Sequence, residues 1–188
     1  MSRKSLIIIG VIVLIVFLVG SSCISQYNRL ITTEESVDTA WAQVENTLQR
    51  RNDLIPNLVN TVKGYASHEK EIFENVAAAR AKLAGATTIN EKVQANMALG
   101  GALGRLLAIV ERYPDLKANQ NFLALQDELA GSENRIAVER RRYNDAIRHY
   151  NLLTRRFPSS LIARFMGFEP HTYFEAEEGA KSVPEVNF

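Results

Sequence analysis

Arg50, Arg51, Asp53 and Asn57 cluster around Pro56, and Arg51 stands in a row of positions seven apart that Val44 and Leu58 otherwise keep apolar. An unpaired charge on the seam of a helix is costly. Arg51 therefore requires a carboxylate or backbone carbonyls on a facing helix, and Glu133 and Glu139 are the candidates. Pro56 lacks an amide proton and leaves a carbonyl of the preceding turn without its intrahelical partner. Two uses of this chemistry are open: a polar layer that fixes helix alignment, which the spacing favours, or a partner-docking spot at the freed carbonyl. A second stripe, Glu133, Asn134, Arg135, Tyr143, Asn144, Tyr150 and Asn151, repeats a Tyr-Asn pair after seven residues, so both pairs face one way on a helix. Buried tyrosines need a partner for the hydroxyl, and the levels of Arg51 and Glu69 are where they are expected to find it. The stripe reads first as core specification and second as a ligand cleft between helices.

Other chemistries fail on their residue patterns. His68-Glu69-Lys70-Glu71 has Ile72 where a zinc protease helix needs its second histidine. His68, His149 and His171 are scattered and are expected to be ordinary surface or interface residues. No serine lies in a Gly-x-Ser-x-Gly elbow, and Gly100, Gly101 and Gly104 lack the lysine that follows a phosphate-binding loop. The reading is therefore no catalytic residue, no metal and no cofactor. Arg140-Arg141-Arg142 lies between Glu139 and Asp145 and fans around a helix, which favours a solvated face over contact with anionic lipid or an acidic neighbour.

Long helices must carry these residues. Trp41, Leu48, Ile55, Val62, Val76 and Leu83 form one apolar row and Val44, Leu58, Tyr65, Ile72 and Ala79 a second, broken only by Glu69 and Arg51. Such a repeat predicts one helix of about 50 residues, roughly 75 Å long, starting near Thr33 behind a Thr32/Glu35 capping box. Pro56 should bend it near residues 52–55 without ending it. Ala84 to Asn90 is the first break, with Gly85 as a stop and Thr88 or Asn90 as the next cap. A second helix follows from about Glu91 to Tyr113, and its three glycines ask for a close neighbour. Its stretch Met97 to Val110 reads as a buried bundle helix, with a membrane or subunit interface as the alternative. A turn at Tyr113-Pro114 leads to a third helix, from about Asp115 to Arg156, whose seam is Phe122, Leu129, Ile136, Tyr143, Tyr150 and Phe157. Ser159 or Ser160 caps a short helix, Leu161 to Met166, that stops at Gly167.

The 188 residues carry a formal net charge of +1 and are 46% apolar, which gives no electrostatic case for nucleic acid and enough material for one core. Arg3 and Lys4 precede an uncharged apolar run to Ile24 that is near the length needed to span a bilayer. Three readings compete for it: an uncleaved anchor, a cleaved secretory signal, and a lipoprotein signal with Cys23 as the lipidated residue. The last needs a bulky aliphatic residue where Gly20 stands, and the anchor is favoured. The two leading charges favour a cytoplasmic N-terminus with the body outside. The organisation read is a cytoplasmic N-terminus (1–5), a transmembrane anchor (6–24), a helical bundle (25–176) and a frayed tail (177–188).

Tyr27-Asn28-Arg29-Leu30, Ala40-Trp41, the run QRRNDLIPNLVNTVKGYASHE from Gln49, the run from Tyr113 to Asn151 and FPSSLIARFMGF from Phe157 together resemble the LemA family. The resemblance covers about residues 27–176 and is loose between Ala84 and Ala108. It implies an antiparallel helical bundle on one N-terminal membrane helix in a bacterial envelope and supplies no reaction; one branch is similar to a protein used in building magnetosome membranes. The expectation is thus an all-α protein: three to four long antiparallel helices, the first kinked at Pro56, on an N-terminal transmembrane helix. The function expected is non-catalytic, through self-association into a homo-oligomer and through scaffolding of the lipid bilayer and of other envelope membrane proteins. The rivals are a ligand-binding or enzymatic site near Arg51, Glu69, Glu139 and Tyr143, and an accessory subunit of an envelope protease.

Overall fold

The computed structural model describes residues 3–174. The expected frayed tail, 177–188, lies outside the described residues. All regular structure among the described residues is helical: α1 (Arg3–Lys63), α2 (Lys70–Gly85), α3 (Ile89–Val110), α4 (Pro114–Lys117), α5 (Gln120–Arg155) and α6 (Ser159–Met166). The chain forms two compact units, one from residues 1–42 and 139–188, the other from residues 43–138.

α1 differs from expectation at both ends. It does not start near Thr33 but runs without interruption from the apolar segment into the body. The hydroxyls of Thr32 and Thr33 do not cap a helix start; they donate to the Asn28 and Arg29 carbonyls one turn back, at 2.8 and 2.7 Å. Leu30 and Val37 are buried and extend the row of Val44, Arg51 and Leu58 backwards by two heptads, which is why the helix has a packed face that far upstream. At the other end the helix passes through Pro56 as expected but stops at Lys63. The heptad rows continue in phase, yet Gly64 follows a basic last turn, a stop signal that outweighs the repeat. Tyr65 and Ala66 bond back to the Val62 carbonyl, and α2 begins only at Lys70. α2 then lies back along α1: Lys63 sits 5.4 Å from the centroid of the Phe73 ring, and Arg80 reaches the Asn52 carbonyl.

Thr88 caps α3 in a full capping box, with Glu91 accepting from the Thr88 amide in return. The predicted single helix from Asp115 begins instead as the one-turn α4, and α5 follows after the Asn119 side chain accepts from the Phe122 amide. Gly167 ends α6 at φ 81°, the left-handed conformation that glycine adopts without strain.

The core of residues 43–138 joins Ile55, Leu58 and Val62 of α1 to Phe73 and Val76 of α2, Leu99, Leu103 and Leu106 of α3, and Phe122 of α5. α3 buries one face through Ala95, Leu99, Ala102, Leu103 and Leu106. Its glycines do not serve the close approach expected of them. A Cβ on Gly100 would meet only the Arg51 guanidinium at 3.7 Å, while Gly101 and Gly104 have nothing within 4 Å. The other unit is smaller and is built on Leu30, Val37, Ile147, Tyr150 and Ala163. In each unit α1 and α5 run antiparallel, with Glu34 opposite Tyr150 and Trp41 opposite Tyr143 in the one, and Arg51 opposite Glu133 in the other, where Tyr65 just past the end of α1 meets Asn119 just before the start of α5.

Candidate functional site

In the unit of residues 43–138, Arg51 is 6% exposed and its Nη1 donates to Glu133 Oε2 and to Asn96 Oδ1, both at 2.7 Å. Glu133 is the one of the two expected carboxylates that the structure supplies. Glu139 instead pairs with Arg142 at 2.8 Å, in the other unit. Burial pulls the Arg51 pKa down and Glu133 partly restores it. Glu133 keeps half of its side chain in solvent, so the layer has one dry end and one wet end.

The next residue of α1 ties down a different helix. Pro56 cannot donate to the carbonyl four residues back, which is that of Asn52. That carbonyl accepts from Arg80 Nε of α2 at 3.2 Å. The freed carbonyl expected as a docking spot is thus occupied from within the chain. Residues 51 and 52 together bind one turn of α1 to α2, α3 and α5. Arg50 adds an exposed pair with Glu128 at 2.8 Å, Asp53 accepts from Gln49 Nε2, and Asn57 is exposed. A cleft of about 280 Å³ opens beside this turn, lined by Glu45, Gln49, Asn52 and Lys92, with Lys92 paired to Glu45.

Glu69 lies on the α1–α2 connection and accepts from Arg112 at 2.8 Å and from the Tyr113 hydroxyl at 3.3 Å. Asn119 donates to the Tyr65 hydroxyl nearby, so the connections at this end are laced together. Arg51 and Glu69 therefore serve separate partner sets, and Glu139 and Tyr143 belong to the other unit. Asn134 and Arg135 are exposed, and Arg135 only reaches the Gly131 carbonyl on its own helix.

The Tyr-Asn stripe works in the unit containing residues 139–174, and with partners other than those expected. Tyr143 packs against Trp41 with the rings tilted and their centroids 5.3 Å apart, and its pKa is raised by burial and by Asp38. Tyr150 is fully buried and its hydroxyl donates to Glu34 at 3.3 Å; burial and that carboxylate push its pKa up to about 12. The two asparagines clasp the chain beyond α6. Asn151 donates to the His171 carbonyl at 2.8 Å and accepts from the His171 amide at 2.9 Å. Asn144 does the same at Phe174, at 3.0 and 2.8 Å. Each carboxamide thus replaces a neighbouring β-strand. The spacing fits, because seven helical residues rise ~10.5 Å and three extended residues span about 10 Å. Arg140 lies over the Phe174 ring at 3.9 Å.

Among the described residues no three His, Cys, Asp or Glu side chains gather as metal ligands would. His171 stacks on Tyr150, while His68 and His149 are exposed. Cys23 is a free, exposed thiol on α1. The arrangement offers hydrogen bonds and ion pairs between helices.

Comparison with known proteins places this architecture. Magnetosome protein MamQ 2 of Paramagnetospirillum magneticum is 27% identical over 208 residues, covering 97% of this chain and 75% of its own length. Magnetosome protein MamQ of Magnetospirillum gryphiswaldense is 27% identical over 204 residues, covering 95% and 74%. Protein LemA of Metamycoplasma hominis is 22% identical over 156 residues, covering 82% and 71%. The profile of the LemA family matches residues 40–188, a span that holds the Arg51 layer, the Pro56 turn and the asparagine clasps, and the chain belongs to that family.

Proposed function

We propose that this protein is a non-catalytic, membrane-anchored helical protein of the bacterial envelope that works by associating with copies of itself and by presenting helical surfaces to other envelope membrane proteins. The observation that carries this reading is the continuity of α1, a single helix from Arg3 to Lys63 whose first part is long and apolar enough to cross a membrane. A body joined in this way is held at a set angle to the bilayer and does not swing on a tether. The use of Arg51, Glu133 and the Asn52 carbonyl in ties between helices supports alignment over chemistry as the purpose of the buried polar groups. Arg3 and Lys4 ahead of the apolar segment support a cytoplasmic N-terminus and an extracytoplasmic body. Two of the relatives are named as magnetosome proteins.

The test is the mass of the full-length protein in mild detergent across micromolar concentrations. A multimer that persists on dilution is expected, and a monomer throughout would overturn the self-association. Protease added outside intact spheroplasts should degrade the body; its protection would overturn the orientation.

A further inference from the structure

The FPSSLIARFMGF segment has a face that is left exposed among the described residues. Phe157 is 76% exposed, Leu161 63%, Phe165 85% and Met166 55%, and Leu161 and Phe165 stand one turn apart on the same side of α6. Ser159 and Ala163 face the other way and are buried against the unit. Large apolar side chains in such a group are rare on a surface that only meets water. Their neighbours are cationic. Arg155, Arg156 and Arg164 are exposed, residues 151–168 include no Asp or Glu, and none of the three arginines is in an ion pair among the described residues. Thr154, Arg155, Ser160 and Arg164 also line a cleft of about 470 Å³ together with Leu161, Phe168 and Pro170, so hydrogen-bond donors and apolar groups share its lining.

The location selects the occupant. Phe168, just beyond α6, packs edge-on against Tyr27 with ring centroids 6.0 Å apart. Tyr27 lies less than one turn beyond Ile24, where the apolar segment of α1 ends. Aromatic rings at this level of a spanning helix occupy the headgroup layer, and an amphipathic helix with arginines beside its apolar face lies in the same layer.

We propose that α6 and Phe157 dock into the surface of the bilayer that α1 spans, with Leu161 and Phe165 among the upper acyl carbons and Arg155 and Arg164 on the phosphate of an anionic phospholipid. This second contact rests on the membrane anchoring proposed above and goes beyond it, since it fixes rotation of the body about the α1 axis as well as its depth.

The experiment uses the full chain with Trp41→Phe and Phe165→Trp, reconstituted in phosphatidylglycerol–phosphatidylcholine vesicles whose acyl chains carry bromine near the headgroup. A chain with Arg148→Trp in place of Phe165→Trp, at an exposed site on α5, is the comparator. Each chain then holds one indole, on α6 in the first and on α5 in the second. Flotation of the vesicles after alkaline carbonate washing reports anchoring separately. Fluorescence of the α6 indole should be quenched at least threefold more than that of the α5 indole, and Arg155→Glu with Arg164→Glu should bring the two together while the protein still floats. Equal quenching in floating vesicles would overturn the docking and leave the anchoring intact. A blue shift of the α6 indole that depends on protein density and not on bromine would put a second copy of the chain on this face and overturn it too. Loss of the chain from the floated vesicles would remove the anchoring and the docking with it.

Discussion

Replacing Arg51 by methionine separates the energetics of a buried polar layer from its role in alignment. The guanidinium makes two contacts at 2.7 Å, to Glu133 and to Asn96. Glu133 has 55% of its side chain exposed and returns to water on losing Arg51, a change of at most about 1 kcal/mol. Asn96 is 8% exposed and is left with a buried acceptor that has lost its Arg51 donor, a loss of about 1–3 kcal/mol. Against these, methionine fits the row between Val44 and Leu58 and no longer requires a charge to be stripped of water, which offsets part of the loss. The net expectation is about 1–2 kcal/mol of destabilisation, or a Tm lower by roughly 2–8 °C by circular dichroism in mild detergent. Adding Asn96→Leu removes the orphaned acceptor and should return Tm to within about 2 °C of the parent, so the two changes couple strongly. Alignment should not return with it. Amide exchange along α3 should be faster in the double variant, because the buried polar contact that selects one register is gone and, among the described residues, only the Lys92–Glu45 ion pair still ties α3 to α1. A drop beyond about 12 °C for Arg51→Met, or no recovery on adding Asn96→Leu, would refute this account of the layer.

Three further outcomes follow from the geometry. Asn151→Ala removes both bonds to His171 and should release the 171–174 segment to rapid hydrogen exchange and proteolysis while leaving the melting of the helices within a few degrees. The Tyr150 pKa is raised from 10.0 to about 12, so its contribution to stability is whole below pH 10 and is lost as the pH climbs to 12; about 2–3 kcal/mol should vanish over that window in alkaline melts, and Tyr150→Phe should flatten the step. Glu91 accepts from the Thr88 and Thr87 amides, and these bonds depress its pKa to about 2; the cap's contribution is therefore present above pH ~4.5 and fades as pH falls toward 2, and Thr88→Ala should lower Tm at neutral pH and weaken that acid dependence.

Periodicity made the helices and their buried faces legible, because a row of apolar residues at seven-residue spacing has few other solutions. Leu48, Ile55, Val62, Val76 and Leu83 are all buried as the row requires. The same argument misleads at Lys63, since two helices that pack on one core can share a phase, and only the Lys63-Gly64 step marks the turn. The capping box at Thr32 is a correct local pattern overruled by the helix that precedes it, whose carbonyls satisfy the hydroxyls instead. Arg51 announces itself by standing in an apolar row, and Glu133 is among its expected partners. Asn96 is not legible, because a single asparagine in the loosely patterned stretch after Ala84 carries no sign of what it faces. Arg80 could have been found by asking which cation reaches the carbonyl that Pro56 leaves free. The asparagines of the Tyr-Asn pairs are visible as a face but not as a clasp. Their partners are backbone groups at His171 and Phe174, and backbone recognition leaves no mark in the identity of the residue recognised. Tyr143 and Tyr150 meet Trp41 and Glu34, which lie within the helix expected from Thr33; the heptad spacing places the tyrosines on a face but does not say which level of α1 they meet.

Hydrogen exchange at the amides of residues 25–33, measured on the full-length protein in a lipid bilayer, tests most directly that the membrane segment and the body are one stiff helix. Slow exchange throughout, comparable with residues 44–58, is the predicted result; exchange there at the rate of an unstructured chain would contradict it and return the body to the end of a flexible tether.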